Sequence, residues 1–289
     1  MSEPIVTVHA DRGDAIAGFI NPLVPLRAIW GHRDLLRQLV RREVIGRYRG
    51  SYLGILWALL TPLMTLAVFT LVFGAMHHNR WAGHAASLLD YPMNLFIGII
   101  MFGTFSEVTN RAATLITNHP NFVKKAVFPL ELLGVSAVLA ACVHALMTLL
   151  IELAVVYIAV GHIPLTALLL PLVFVPVALL TLGACWILSA LGVFFRDLGN
   201  AIGPCVQLLF FLTPVVYPMS VLDNNPAIGR LLWALNPFVT IVESARAVLI
   251  AGEMPPWAAL GVATLASAVI AMVGYIGFMK VRRYFADAM

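Results

Sequence analysis

RREVIGRYRGSYLGILWALLTPLMTLAVFTLVFG, residues 41–74, sets four arginines (Arg41, Arg42, Arg47 and Arg49) directly against a long apolar run. Residues 51–76 contain no Asp, Glu, Lys or Arg. A helix that crosses a bilayer needs about 20 apolar residues. The stretch therefore reads as a basic anchor followed by a membrane span. The rest of the chain agrees in composition: of 289 residues, 61% are hydrophobic and 11% charged, against roughly 25% charged in soluble domains. Mean hydropathy is +0.93. These values predict an all-α polytopic membrane protein. The net charge of +4 does not indicate nucleic-acid binding, because basic excess in such a chain marks its cytoplasmic side.

Working outward, six spans are predicted at about 51–76, 91–113, 132–159, 165–195, 198–217 and 257–279. The second carries Glu107, the third His144 and Glu152. Pro164, Pro171 and Pro176 interrupt the fourth. The first twenty residues hold Glu3, Asp11, Arg12 and Asp14 without a long apolar run, so no cleavable signal peptide is expected there. Residues 1–25 read as a polar extension and 281–289 as a tail. Cys142, Cys185 and Cys205 are widely spaced in apolar surroundings and read as small hydrophobes.

Residues 219–251 are apolar only in pieces, broken by Asp223, Pro226, Asn236, Pro237, Glu243 and Arg246. No piece can span. The segment reads as two half-helices that dip into the membrane and return, a backbone tolerated at depth only when buried in protein or lining a cavity. With six spans both ends share a side. Fifteen of the eighteen Lys and Arg residues fall on the side of the amino terminus, which makes both termini cytoplasmic.

Residues 26–49 form a predicted amphipathic helix. Ile29, Leu36, Val40 and Val44 share one face; Arg27, Asp34, Arg37 and Arg41 share the other. Two readings stand: a membrane-surface anchor, or a docking surface for a cytoplasmic partner. The aromatic residues at span ends, Tyr48, Tyr52, Trp57 and Trp81 among them, fit an interfacial belt or a channel wall that stacks on sugars. Glu107, His144 and Glu152 suggest function by their depth, either as a proton relay or as structural pairs; Glu107 and Arg111 have the i,i+4 spacing of a local pair.

Several chemistries are missing. No GxxxxGK[ST] loop occurs, so the chain does not bind ATP through a Walker A loop of its own. HExxH and paired CxxC motifs are also absent. His9 and Asp14 have an HxxxxD spacing within the polar extension, which reads as chance. No catalytic residue, metal site or enzymatic activity is expected.

Four blocks carry a family resemblance: RYRGSYLGILWALLTPL (47–63), NHPNFVKKAVFPLELL (118–133), FFRDLGNAIGPCVQLLFFLTPVVYP (194–218) and LNPFVTIVESARAVLIAGEMP (235–255). In this order they resemble the permease subunits of ABC-2 type exporters for polysaccharides and related polymers. The resemblance implies a homodimer of six-helix subunits. Two copies of a separate nucleotide-binding subunit would power it and hold the ATP and Mg, and this chain would bind no cofactor. It implies that Arg33, Arg37, Arg41 and Arg42, with Asn121, Phe122, Lys124 and Lys125 in the connector 117–129, couple to that ATPase. Tyr48, Tyr52, Trp57 and Phe69 become candidates for facing the channel. Pro218, Asn236, Pro237, Glu243 and Arg246 become candidates for a periplasmic gate. The cargo implied is a lipid-linked polysaccharide moved across the inner membrane, with O-antigen first and capsular polysaccharide or teichoic acid as the alternative. A proton-coupled secondary transporter using Glu107, His144 and Glu152 is the competing reading from a different class.

Overall fold

The computed structural model describes residues 23–50, 52–73, 89–123, 128–222 and 224–288. Every regular element among them is helical. At the amino-terminal end, α1 (Leu23–Gly31) and α2 (Arg33–Tyr48) replace the single amphipathic helix expected over 26–49, with a turn at His32 between them. Asp34 in the first turn of α2 and Arg47 in the last both suit the helix dipole. Leu36 and Leu39 are buried, because α2 packs along the start of α6 rather than only on lipid.

Gly50 (φ 91°) and Gly54 (φ 49°) then turn the chain through left-handed conformations that a side chain would oppose. A 3-10 turn, Gly54–Leu56, leads into α3 (Trp57–Phe73). The start of the expected span is thus spent on a turn. Residues 74–88 and Lys124 and Lys125 lie outside the described residues.

Helix α4 (Asp90–Ala112) is the hub of the bundle. It is buried along most of its length and packs against α3, α6, α7, α8 and α10. A short connector helix, α5 (Pro120–Val123), precedes the 30-residue α6 (Glu131–Val160). Helix α7 (Leu170–Phe194) follows a 3-10 turn, Leu165–Leu169. Pro171 falls in its first turn, where a missing N–H costs nothing. Pro176 is carried inside the helix.

Helix α8 (Leu198–Leu212) is shorter than the expected 198–217. Pro214 is the reason: it disfavours helical backbone at Thr213, which is extended. After a 3-10 turn (Met219–Leu222), α9 (Pro226–Leu235) and α10 (Pro237–Arg246) meet at a 97° bend. A π turn, Ala247–Ala251, extends α10. Helix α11 (Trp257–Val281) and a small α12 (Phe285–Ala288) close the chain.

Among the described residues four helices, α4, α6, α7 with its 3-10 turn, and α11, are long and apolar enough to cross a membrane; the bent α9–α10 pair, taken as one span, raises the number to five. Helices α3 and α8 are apolar but shorter. The chain is an all-helical, multi-pass membrane protein. Its buried side chains form two clusters. One surrounds α4 and α10, where Phe102 and Phe105 pack edge-on to Phe238 at centroid distances of 5.2 and 5.0 Å. The other lies at the α2 end, here the base, around Trp186, Tyr275, Phe278 and Phe285. Between them, α7 and α11 make the most extensive helix pairing. A Cβ on Gly183 would sit 2.7 Å from the backbone of Ile270 and Ala271, and one on Gly274 would sit 2.5 Å from the Gly183 carbonyl oxygen. Small residues of this kind let membrane helices meet backbone to backbone.

Candidate functional site

Three groups of polar residues stand out against this apolar frame: a network at the base, a cavity within the bundle, and a buried clamp at the opposite end. The basal network centres on Glu107. Its carboxylate pairs with Arg47 of α2, lies 3.7 Å from Arg111, and accepts from His144 Nδ1 at 3.0 Å. Since a carboxylate only accepts, that ring nitrogen carries the hydrogen. The i,i+4 partner expected from spacing is therefore the most distant of three. Arg111 also reaches Glu43 of α2 at 2.7 Å, and Ser136 Oγ donates to Glu43 at 3.4 Å. Arg282 pairs with Glu131 at 2.8 Å. Ionic contacts thus tie α2, α4, α6 and the carboxyl-terminal turn into one base. Glu152 does not join Glu107 and His144: it is fully buried, and neither oxygen has a hydrogen-bond partner among the described residues.

The connector sits beside this network. Phe122 stacks on Phe128 at 4.2 Å and on His119 at 5.7 Å. The Arg42 guanidinium lies 5.3 Å over the Phe122 ring, a cation–π contact worth about 0.5–1 kcal/mol where exposed. Asn121 is exposed at the tip. Of the coupling candidates, Arg42, Asn121 and Phe122 therefore come together. Arg33, Arg37 and Arg41 are exposed on the other flank of α2, where they line a separate groove against α6.

Within the bundle, α3, α4 and α6 enclose a cavity of about 190 Å³. Its polar lining consists of Thr61, Thr65, Thr104, Thr148, Glu107 and His144. Thr65, Thr104 and Thr148 donate to the carbonyls of Thr61, Ile100 and His144 within their own helices, which leaves hydroxyl lone pairs facing the cavity as acceptors. Sequence reasoning missed these threonines, because a hydroxyl satisfied four residues back passes as a small apolar residue. The aromatic channel candidates do not line this cavity. Tyr52 and Trp57 are exposed, and Phe69 packs against the core cluster of α4. The Tyr48 side chain lies outside the described residues.

At the far end, Arg246 is 4% exposed. Its Nε donates to the Asn94 carbonyl at 3.0 Å, its Nη2 to the Val215 carbonyl at 2.8 Å, and its Nη1 to Glu243 at 2.8 Å. Asn236 makes the bend. Its Oδ1 accepts from the Phe238 N–H at 3.0 Å and caps α10, while its Nδ2 donates to Thr213 Oγ1 at 2.9 Å. Pro237 occupies the first helical position, where its fixed φ suits the helix. Pro218 is buried at the start of the 3-10 turn. Tyr91 donates to the Val216 carbonyl at 2.7 Å. Residue spacing does not reveal Asn94, Thr213 or Val215 as partners. No cluster of His, Cys, Asp and Glu that could hold a metal ion occurs among the described residues.

The arrangement offers a polar seam through an apolar bundle, with an ionic base at one end and a clamped bend at the other. Known proteins are similar to this chain over most of its length. The chain is 30% identical over 264 residues to the O-antigen export system permease protein RfbA of Myxococcus xanthus, covering 91% of this chain and 98% of that one. It is 26% identical over 260 residues to the protein of the same name in Klebsiella pneumoniae, covering 88% and 94%. The polysialic acid transport protein KpsM of Escherichia coli is 25% identical over 238 residues, covering 82% and 89%. Residues 34–250, from the start of α2 through the π turn after α10, match the ABC-2 type transporter family, and the chain belongs to it.

Proposed function

We propose that this chain is the membrane subunit of an ATP-driven exporter that moves a lipid-linked polysaccharide, O-antigen, from the cytoplasm across the inner membrane. The observation that carries the reading is the match over nearly the full length to permeases named for O-antigen export. A sugar polymer is polar along its length, and crossing about 30 Å of hydrocarbon unaided is prohibitive. The threonine-lined cavity beside Glu107 and His144 supports a path on which protein groups replace hydration. The subunit's work is then conformational.

In this reading α3 and α8 complete six spans, and the α9–α10 pair is a re-entrant gate on the periplasmic side. Pro218, Asn236, Pro237, Glu243 and Arg246 hold that gate. Both termini and the basal network are cytoplasmic in this reading, which the arginine distribution supports. Two copies of the chain line the path, and two nucleotide-binding subunits supply ATP and Mg from below. The coupling surface is the connector tip at Asn121 with Phe122, Lys124 and Lys125, braced by Arg42. Tyr48, Tyr52, Trp57 and Phe69 meet sugar only where the second copy approaches. The relative named for polysialic acid transport makes capsular polysaccharide the second cargo to test.

The test is deletion of the coding sequence in its host, with surface polysaccharide stained by O-antigen and capsule antibodies, and purification of the tagged chain from the complemented strain. O-antigen lost and regained, with an ATPase in equal amount, is the expected result. Intact O-antigen with lost capsule would transfer the assignment. A chain that purifies alone and moves solute in liposomes would favour the proton-coupled class.

A further inference from the structure

The groove between α2 and α6 has an asymmetry that coupling to a soluble partner does not explain. It encloses about 850 Å³. One rim carries Arg33, Arg37 and Arg41 at i,i+4 spacing. The opposite wall is Leu139, Val143 and Leu146 of α6, with Leu139 and Leu146 exposed. Arg37 and Arg41 pair with no carboxylate among the described residues, and Arg33 lies over Trp30 at 5.9 Å. Arg42 and the connector lie on the other flank of α2, so a protein that engages them from below does not thereby cover this groove.

We propose that the groove holds anionic phospholipid from the surrounding leaflet, with headgroups on the arginine rim and acyl chains along Leu139, Val143 and Leu146. A soluble partner seated here would have to cover the outward face of a helix apolar enough to span the membrane. An amphiphile matches both walls at once, and a negative charge on it suits the rim, where the charged side chains that line the groove are all arginines and Gln38 is the other polar one. The three arginines are strung over about 12 Å of helix rather than converging on a point, so they match a row of headgroups in the membrane plane better than one compact anion. Basic residues on a helix at the cytoplasmic surface attract anionic lipid by about the same increment each. The inference rests on the chain's being a membrane protein and not on the cargo it carries.

The test is native mass spectrometry of the full chain in mild non-ionic detergent, titrated with phosphatidylglycerol or with phosphatidylethanolamine of the same acyl chains. Phosphatidylglycerol is expected to be retained in preference. The double variant Arg37→Gln, Arg41→Gln should bind it about thirtyfold more weakly. Val143→Trp, which fills the acyl wall, should also weaken it while the arginines remain. Excess inorganic phosphate should not displace the lipid. Equal retention of the two lipids, unchanged binding by the double variant, or displacement by phosphate alone would each overturn the proposal. It would also fall if the double variant kept phosphatidylglycerol but lost a copurifying ATPase, since the rim would then belong to a protein interface.

Discussion

A guanidinium at 4% exposure must find acceptors for a rigid fork of N–H groups, and Arg246 finds them on three different segments: Asn94 of α4, Val215 after α8, and Glu243 of its own helix. Removing it takes a donor from two carbonyls and leaves Glu243 without its partner. Arg246→Ala should therefore cost about 3–5 kcal/mol, read as a lower thermal midpoint of the purified protein in detergent. A melt identical to the parent's would mean that the three segments are held by packing alone. Arg246→Lys keeps the charge but not the fork, and should fall between the two. At the base, Glu107→Gln keeps the shape but weakens the charge-assisted contacts to Arg47 and His144, each worth about 1.5–3 kcal/mol. Its expected signature is local: faster protease cleavage near Arg47 and Arg49, with the bundle still intact. Cleavage at the parent's rate would show that α2 is fixed by Leu36 and Leu39. Neither network could be read from the chain, because Glu107 and Arg47 are 60 residues apart and Arg246 and Asn94 are 152 apart. Spacing exposes only near neighbours, and here it pointed to Arg111.

At the scale of the element, the same contrast has a physical explanation. Helices α4, α6, α7 and α11 are legible because predominantly apolar sequence over 23 to 30 residues, with at most a few charges, has few other uses. The bend at Asn236 was legible for the opposite reason, since Asn-Pro both caps and restarts a helix. The end of α8 was misread although Pro214 was in view, because the run of Phe and Val around it kept hydropathy high past the break. Close packing between α7 and α11 yields a sharp expectation. Gly183→Ala and Gly274→Ala each push a methyl into opposing backbone, and overpacking of this kind costs about 1–3 kcal/mol. Gly277→Ala, with nothing within 4 Å of its new Cβ, should be neutral or stabilising by up to about 1 kcal/mol. Equal melts for all three variants would refute backbone-level contact. For the connector, Lys124→Glu with Lys125→Glu should abolish export and uncouple ATP hydrolysis by the partner while the protein still inserts; unchanged export would remove the connector from the coupling surface.

Over the whole molecule, the proposed orientation rests on charge, and it can be measured without the cargo. In a background lacking the three native cysteines, Thr114→Cys at the base should resist a membrane-impermeant maleimide added outside intact spheroplasts. Ser220→Cys, in the exposed turn before α9, should react. The reverse pattern would invert the topology and move the arginine-rich end to the periplasm. The all-helical class was legible from composition alone. The polar seam was not, because its threonines hide within helices and its walls come from α3, α4 and α6 together.

The glycine contact between α7 and α11 bears on how such a molecule works. Two rods joined at the backbone cannot slide or hinge against each other without first breaking a seam that has no side chains to flex. They act as a stator. Motion during a transport cycle then falls to the parts with compliant borders: α3 and α8, whose outward faces remain bare, and the α9–α10 elbow, latched by Asn236 and Arg246. On this division of labour, a cross-link between α7 and α11 would leave turnover running, whereas a staple across the elbow would stop it.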